Sequence, residues 1–149
     1  MSDVHLRRAR STDAGTVGAI LSAFIDDTAW MPRIHSRAEE IGFVGTLIER
    51  DWVTVAEQAD DVTGFMACDG QTIQSLYVAA KARRQGVGSA LLQVAQERQD
   101  ALTLWTFQAN AEAQAFYVAH GFVAAARTDG SGNDEGLPDI RYDWKRETA

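Results

Sequence analysis

The sequence predicts an α/β fold, in which helices cover the faces of a central mixed β-sheet. Strand-like apolar runs alternate with segments of helical apolar spacing, in the order β-α-α-β-β-β-α-β-α-β-β. One strand-like run, residues 72–78, leads through a short basic loop into a helical segment at 88–98. The chain has 149 residues, 46% of them hydrophobic, and can therefore bury a sizeable core. We expect residues 1–149 to form a single domain.

The first half of the chain is predicted to contain one strand, two helices and three further strands. Ser11-Thr12-Asp13 offers N-capping side chains before an apolar helical pattern, and Pro32 discourages a continuing helix. Residues 58–61 and the Asp69-Gly70 pair are turn signals. The predicted elements are a strand at 4–9, a helix after residue 13, an irregular segment at 26–36, a helix at 37–49 with Ile41, Val44, Leu47 and Ile48 on one face, and strands at 52–56, 62–68 and 72–78.

The second half continues the alternation of helices and strands. Asn110 is a good N-cap and Gly121 a good C′ residue for the helix between them. Trp105, on a predicted central strand, is expected in the core, and His120 is expected to face solvent near the helix end. The predicted elements are a helix at about 88–98, a strand at 101–107, a helix at 111–120, and strands at 122–126 and 140–144 separated by a polar link at 129–136.

Charge and composition argue against several classes of protein. The formal net charge of -7, from 21 acidic and 14 basic residues, argues against nonspecific binding of nucleic acid. No apolar run approaches the roughly 20 residues that span a membrane, and the first residues lack the apolar core of a signal peptide. The single cysteine, Cys68, cannot form an internal disulfide and is expected to be a small buried hydrophobe. We predict a cytoplasmic protein that binds neither nucleic acid nor membranes.

The loop before the helix at 88–98 has the features of a phosphate site. Gly86-Val87-Gly88 stands where the helix begins, and the first backbone N–H groups of a helix have no partner within it. Lys81, Arg83 and Arg84 add positive charge to the same loop. A Walker-type motif is absent, and position 91 is leucine where a dinucleotide-binding fold requires a third glycine. The loop is therefore predicted to bind a phosphate group of some other ligand.

Three segments carry a resemblance to a known family. Arg83-Arg84-Gln85-Gly86-Val87-Gly88 matches the pattern Gln/Arg-x-x-Gly-x-Gly/Ala, and the strand Leu76-Tyr77-Val78 precedes it. The element from Asn110 through Phe116-Tyr117 to Gly121-Phe122 follows in the same order and spacing as in the family. On these residues the chain resembles the GNAT acetyltransferase superfamily, which are acyl-CoA-dependent N-acetyltransferases, over most of its length. The resemblance implies transfer of an acetyl group from acetyl-CoA to a primary amine, by direct attack in a ternary complex and without a metal.

The resemblance also implies which residues hold acetyl-CoA. The backbone from Arg84 to Ser89 would donate to the pyrophosphate, and the exposed edge of the strand at 76–78 would pair with the amide-rich pantetheine arm. The implied cofactor-binding residues are Leu76, Tyr77, Val78, Arg83, Arg84, Gln85, Gly86, Val87, Gly88, Ser89 and Asn110. The side chains of Leu76 and Val78 are compatible with core packing as well, and helix capping alone would also explain Asn110.

Tyr117 is the catalytic residue that the resemblance implies. In the family the matching tyrosine protonates the departing thiolate, and a phenol of pKa near 10 is a reasonable acid for a thiol of pKa near 8.5. Packing beside Phe116 on an apolar helix face is the alternative role. The base that removes the amine proton is left open between Glu57, Asp69, His35 and a water relay.

The acceptor is the least determined part of the prediction. A small-molecule amine is our first expectation, and a protein or peptide acceptor is the alternative. A non-catalytic acyl-CoA-binding sensor or assembly module of the same fold is a further alternative. Trp30, Met31, Ile34 and His35 either line an acceptor pocket or fill the space between helices and sheet. Homodimers are frequent in the family, although no residue here demonstrates one.

Overall fold

The computed structural model describes residues 3–147, in which a seven-stranded sheet is combined with four α-helices. The strands are β1 (His5–Arg8), β2 (Val53–Gln58), β3 (Asp61–Asp69), β4 (Thr72–Val78), β5 (Ala101–Phe107), β6 (Val123–Thr128) and β7 (Asp139–Lys145). The helices are α1 (Ala14–Asp27), α2 (Arg37–Glu49), α3 (Val87–Arg98) and α4 (Ala111–Ala119). None of the helices in residues 3–147 combines the length and apolar character that crossing a membrane requires.

The strand order in the sheet is β1-β2-β3-β4-β5-β7-β6. Strands β4 and β5 run parallel, and the other neighbouring pairs are antiparallel. The mixed α/β fold that the sequence predicts is therefore confirmed, and the predicted bounds of α2, β4 and β5 are those observed. The first strand, predicted at residues 4–9, is observed at His5–Arg8, and the Ala9 N–H beyond it still donates to the Val53 carbonyl at 3.0 Å.

Helices cover both faces of the sheet and bury two groups of apolar side chains. The core under α3 and α4 includes Met66, Leu91, Leu92, Leu104, Ile140 and Tyr142. The core under α1 and α2 includes Val17, Val44, Leu47, Val55 and Phe65. Successive side chains of a strand point to opposite faces, which is why the neighbours Phe65 and Met66 belong to different cores.

Helices α1 and α2 approach each other closely at Gly18. A Cβ atom built there would lie 2.6 Å from Cγ1 of Ile41, so only glycine allows this contact. Ile41 was predicted on the buried face of α2, and it packs across Gly18 while remaining 38% exposed. Val44 and Leu47 are buried as predicted.

Residues 11–13 form a 3-10 turn instead of a simple N-cap for α1. Asp13 Oδ2 accepts the backbone N–H of Arg10 at 2.7 Å, and Arg7 donates to both Asp13 oxygens at 2.8 and 2.9 Å. The guanidinium of Arg7 also donates to Glu57 at 2.6 Å. Hydrogen bonds from the Arg7 guanidinium hold the pKa of Asp13 below its ordinary value. This network joins β1, the turn and β2.

The expectation that Trp105 lies in the core is wrong. Leu102 and Leu104 of β5 are buried on the face under α3, so the alternation of side chains directs Trp105 to the opposite face. Helix α1 packs against β3 and β4 on that face, and Trp105 remains 48% exposed. Trp105 instead borders the cleft described below.

Strands β4 and β5 diverge after a single paired position. Thr72 is paired with Thr103, whose N–H donates to the Gln71 carbonyl at 2.8 Å. On its other side β4 has a bulge, because Ala67 pairs with Ser75 and Cys68 with Ile73, which leaves Gln74 as the extra residue. A bulge bends its strand, and the C-terminal halves of β4 and β5 enclose a cleft where a ladder would otherwise continue.

Candidate active site

The cleft between the diverging strands has a volume of about 90 Å³. Its walls come from α1, the segment that follows it, β4, β5, Asn110 and α4. The lining residues are Phe24, Met31, Ile73, Gln74, Ser75, Leu76, Tyr77, Leu104, Trp105, Thr106, Phe107, Asn110, Ala113 and Tyr117. Because β4 pairs with β5 only at Thr72, the backbone edge of residues 74–77 borders this cleft. Such an edge can pair with an extended, amide-rich ligand.

The predicted phosphate loop lies between β4 and α3. Residues 83–86 are exposed, and the backbone has a left-handed conformation at Arg84 (φ 63°) and Gly86 (φ 80°). The Ala90 N–H donates to the Gly86 carbonyl at 3.0 Å, which is the first hydrogen bond of α3. The N–H groups of Val87, Gly88 and Ser89 precede it and are directed out of the helix end. The loop therefore presents backbone donors beside two exposed arginines.

Two glycines bring the start of α3 close to the sheet and to α4. A Cβ atom at Gly64 of β3 would lie 2.8 Å from Cγ1 of the buried Val87. A Cβ atom at Gly88 would lie 3.3 Å from the Phe116 ring and 3.7 Å from Val78. By contrast, a Cβ at Gly86 would meet nothing within 4 Å, so the space in front of the helix end is open. A phosphate can therefore approach the backbone there.

Tyr117 lies on α4 with its ring in the core and its hydroxyl group at the cleft. The residue is 7% exposed, and its ring packs edge-on against Phe116 and Phe122 at centroid distances of 5.2 and 5.5 Å. Within residues 3–147 the hydroxyl has no hydrogen-bond partner. Burial, followed by the nearby Tyr77, raises the pKa of Tyr117 above its ordinary value. The phenol is therefore a proton donor, and not a phenolate, at neutral pH.

Asn110 and the β4 residues lie at the same cleft. Asn110 Oδ1 accepts the Ala113 N–H at 3.1 Å, so the predicted cap is confirmed, and the residue also lines the cleft. Leu76 and Tyr77 line the cleft, whereas Val78 faces the Gly88 backbone at the start of α3. Burial raises the pKa of Tyr77 to about 12, and the charge of Glu135 adds to this effect. Both tyrosines at the cleft are therefore protonated at neutral pH.

None of the three side chains proposed as the base lines the cleft. Glu57 is hydrogen-bonded to Arg7 on the β1–β2 side of the sheet, and Asp69 pairs with Thr72 at the opposite end of β4. His35 is exposed, with its Nδ1 3.7 Å from Glu39. Among the residues that the structure describes, the cleft lining contains no Asp, Glu, His, Lys or Arg. A water relay, the fourth alternative, needs no ionisable side chain in this lining.

His120 does not face solvent as expected. Its Nε2 lies 3.0 Å from Ser89 Oγ and its Nδ1 lies 2.8 Å from the Phe116 carbonyl. The ring is half-buried and packs at a tilt against Phe116, with a centroid distance of 4.4 Å. His120 therefore joins the end of α4 to the first turn of α3. The spacing of four residues between Phe116 and His120 is the sequence signal for this contact, because such pairs share a helix face.

Phe24 and Phe107, which the sequence analysis did not assign to the site, form one wall of the cleft together with Trp30. Trp30 packs edge-on against Phe24 and Phe107 at 6.4 and 5.8 Å, and Phe24 contacts the Tyr77 ring at 4.9 Å. Of the four residues proposed for the acceptor pocket, Met31 lines the cleft and Trp30 supports its wall. Ile34 and His35 are exposed and do not line it.

A second depression adjoins the cleft through residues 105–107 and has a volume of about 620 Å³. Its other residues come from the end of β6, the following link and the start of β7, and they include the carboxylates Glu135 and Asp139. Asp139 accepts hydrogen bonds from Thr128 and Asn133, whereas Glu135 has no ion pair within residues 3–147. An open space with a carboxylate at its edge can receive a cationic group next to the cleft.

The sequence is similar to known acetyltransferases. The family profile described as Acetyltransferase (GNAT) domain matches residues 38–124, which is more than half of the chain. The peptidyl-lysine N-acetyltransferase YjaB of Salmonella typhimurium is 28% identical over 128 residues, covering 85% of this chain and 88% of the relative. The peptidyl-lysine N-acetyltransferase YiaC of Escherichia coli is 38% identical over 74 residues, which are 49% of each chain.

Solved structures share the fold. The solution structure of apo YjaB from Escherichia coli matches with a TM-score of 0.81 at 24% identity, covering 97% of this chain and 99% of the other. The structure of yncA from Salmonella typhimurium with its cofactor acetyl-CoA matches with a TM-score of 0.75 at 19% identity, covering 99% of this chain and 96% of the other. The family match and the acetyltransferase relatives show that this chain belongs to the GNAT acetyltransferase family and is an acyltransferase enzyme.

Proposed function

We propose that this enzyme transfers an acetyl group from acetyl-CoA to a primary amine. The observation that carries the proposal is the cleft between β4 and β5, which has an exposed strand edge on one side and the Tyr117 hydroxyl on another. The backbone donors at the start of α3 lie at the end of the loop that follows β4. A thioester with a pantetheine arm and a pyrophosphate needs these three features together.

The residues present fit the donor. A Cβ atom at Gly86 would meet nothing within 4 Å, so the exposed helix end leaves room for phosphate oxygens beside the N–H groups of residues 87–89. Arg83 and Arg84 are exposed and supply positive charge in a chain that is acidic as a whole. The solved structure of yncA, which holds its cofactor acetyl-CoA in the same fold, supports this donor. Acetyl-CoA then supplies the activated acetyl carbon.

The proposed reaction is a direct transfer with Tyr117 as general acid. The amine nitrogen forms a bond to the acetyl carbon while the bond from that carbon to sulfur breaks. The Tyr117 hydroxyl donates its proton to the departing sulfur. The excess proton of the amine passes to water because no ionisable side chain other than the two tyrosines lines the cleft, and water returns a proton to the Tyr117 oxygen. Tyr117 suits this role since its hydroxyl has no competing partner in the described chain and remains protonated.

The acceptor class is a second part of the proposal. YjaB and YiaC act on peptidyl-lysine, as their names state, and the depression beside the cleft is large enough for a peptide segment. Glu135 at this depression would attract the ammonium group of a lysine side chain. We therefore propose a peptidyl-lysine acceptor, with the small-molecule amine predicted from the sequence as the alternative to be compared with it. A cytoplasmic location, a single domain and a homodimer remain predictions.

The experiment is a comparison of acceptors with one catalytic variant. Wild-type protein is incubated with acetyl-CoA and either a lysine peptide with a blocked N-terminus or a panel of small amines, and mass spectrometry detects the acetylated product. Tyr117→Phe, which keeps the buried ring, should bind acetyl-CoA normally in calorimetry but form product slowly. A wild-type protein that binds acetyl-CoA and acetylates no amine would instead be a non-catalytic acyl-CoA-binding module.

A further inference from the structure

One arginine fastens the segment between α1 and α2, residues 28–36, to both helices. Arg33 Nη1 donates to Glu40 Oε1 at 2.6 Å, and its Nη2 donates to the Ser22 carbonyl at 3.1 Å and to Asp26. Ser22 Oγ donates to the same Glu40 oxygen at 2.5 Å. Arg33 therefore bonds to α1 at Ser22 and Asp26 and to α2 at Glu40.

The partner of Arg33 on α2 is a buried carboxylate. Glu40 is only 4% exposed and stands one helical turn before Val44, which is fully buried in the core under α1 and α2. A buried carboxylate is unfavourable unless it is paired and hydrogen-bonded. Arg33 provides the positive charge and Ser22 a further donor. Because Glu40 requires this partner, residues near Arg33 are held in one position.

Two of those neighbouring residues reach the cleft. Met31, two positions before Arg33, lines the cleft, and its N–H donates to the Thr28 carbonyl at 3.1 Å. Trp30 contacts Phe24 of α1 and Phe107 at the end of β5. The segment thus supplies part of the apolar wall of the cleft, whereas Arg33 itself does not line the cleft.

We infer that Arg33 is a positioning residue for the acceptor, because its bonds to Glu40 and Ser22 hold Trp30 and Met31 as a wall of the acceptor side. This inference rests on the proposed acetyl transfer. A wall of aromatic and thioether groups suits the aliphatic stem of an alkylamine, such as the four methylene groups of a lysine side chain, and leaves the terminal nitrogen free to reach the acetyl carbon. Loss of Arg33 should therefore affect the acceptor and not the donor.

The first test measures the position of the segment without any reaction. Hydrogen–deuterium exchange, followed by mass spectrometry of peptides, compares wild-type protein with Arg33→Ala. The matched control is Arg37→Ala, because Arg37 also bonds to Asp26, at 2.6 Å, but does not contact the buried Glu40. We expect faster exchange over residues 28–36 in Arg33→Ala only, with unchanged exchange over the phosphate loop, residues 83–90. Unchanged exchange over residues 28–36 overturns the inference.

The second test separates the two substrates. With a lysine tripeptide of blocked N-terminus as the probe, Arg33→Ala should raise the KM of the peptide at least about tenfold, the low end of the effect of one lost methylene contact in an apolar pocket. The Kd of CoA should stay unchanged. Arg33→Lys, which keeps the charge but loses the paired donors, should recover part of the effect. Trp30→Ala should raise the same KM. The KM of the double variant should not exceed that of the single variant with the higher KM, because both changes act on the same wall.

Each outcome of the kinetic test decides between two roles. A lower kcat at unchanged KM for both the peptide and acetyl-CoA would mean that Arg33 only maintains the fold, and would overturn the inference. A rise in the KM of the peptide alone, with the same rise in Trp30→Ala, supports it. Wild-type protein that acetylates no amine would refute the proposed function and with it the acceptor role, and the exchange comparison would then still decide whether Arg33 fastens the segment.

Discussion

The ionisable side chains that line the cleft predict how the rate of acetyl transfer depends on pH. In the described chain the only ionisable side chains that line the cleft are Tyr77 and Tyr117, whose pKa values burial raises. Neither can act as a base near neutral pH. The rate at which the acetyl-CoA complex reacts therefore depends on the fraction of the amine that is already neutral. We expect kcat/KM for the acceptor to follow the titration of the acceptor's own amine.

The expected magnitude comes from the pKa of the amine. A lysine side chain has a pKa of about 10.4, so its neutral fraction rises roughly tenfold for each pH unit below that value. We expect kcat/KM for a blocked lysine peptide to increase about 100-fold between about pH 7 and pH 9, with a slope near 1 on logarithmic axes. The profile should have no descending limb in this range, because Tyr117 stays protonated and can still donate its proton.

The assay measures initial rates of peptide acetylation at saturating acetyl-CoA across this pH range. The control is a peptide with a free α-amino group and no lysine, whose pKa is about 8, so its profile should level off near that pH. A profile for the lysine peptide that levels off near neutral pH would refute the reasoning, because the plateau would then report a base on the enzyme. If kcat/KM levels off at the same pH for both peptides, the plateau would likewise report a base on the enzyme.

Three further predictions concern single side chains. Tyr117→Phe should lower kcat by about 100-fold or more, the usual contribution of a general acid, while calorimetry shows an unchanged Kd for acetyl-CoA; an unchanged kcat would remove Tyr117 from the mechanism. Gly86→Asp should abolish CoA binding through charge repulsion at the helix end, whereas Gly86→Asn, which tolerates the same positive φ of 80°, should retain most of it; equal binding by the two variants would contradict a phosphate site there. Gly64→Ala should destabilise the fold by about 1–3 kcal/mol in thermal or chemical unfolding, because its Cβ would lie 2.8 Å from the Val87 side chain. Gly42→Ala, in an open position of α2, should instead stabilise it by about 0.5–1 kcal/mol, and a stable Gly64→Ala protein would show that α3 can shift.

Local sequence signals predicted most of the fold because they act over a few residues. The bounds of α2, β4 and β5 follow from apolar periodicity, and Asn110 caps α4 through a contact only three residues away. The same holds for the phosphate loop, since Gly86 needs a left-handed backbone where α3 begins. In each case the residue and its partner are close in the chain.

The candidate site was predicted less completely because its parts are distant in the chain. Tyr117 and Leu76 both line the cleft, as the resemblance implied, but the expectation for Trp105 failed. Periodicity alone could not show which face of β5 the helices would leave open. His120 was misplaced for a related reason, since its contact with Ser89 joins two helices that the sequence separates by 31 positions.

The sequence by itself therefore determined the order of the elements, the mixed α/β fold, the glycine-containing loop before α3 and the family. Only the tertiary structure decided where β4 and β5 part, which side chains line the resulting cleft, and that Arg33 is bound to a buried carboxylate on the next helix. The physical reason is the range of the interactions. Capping, turn conformation and periodicity depend on neighbouring residues, whereas burial and charge pairing depend on which surfaces meet after folding.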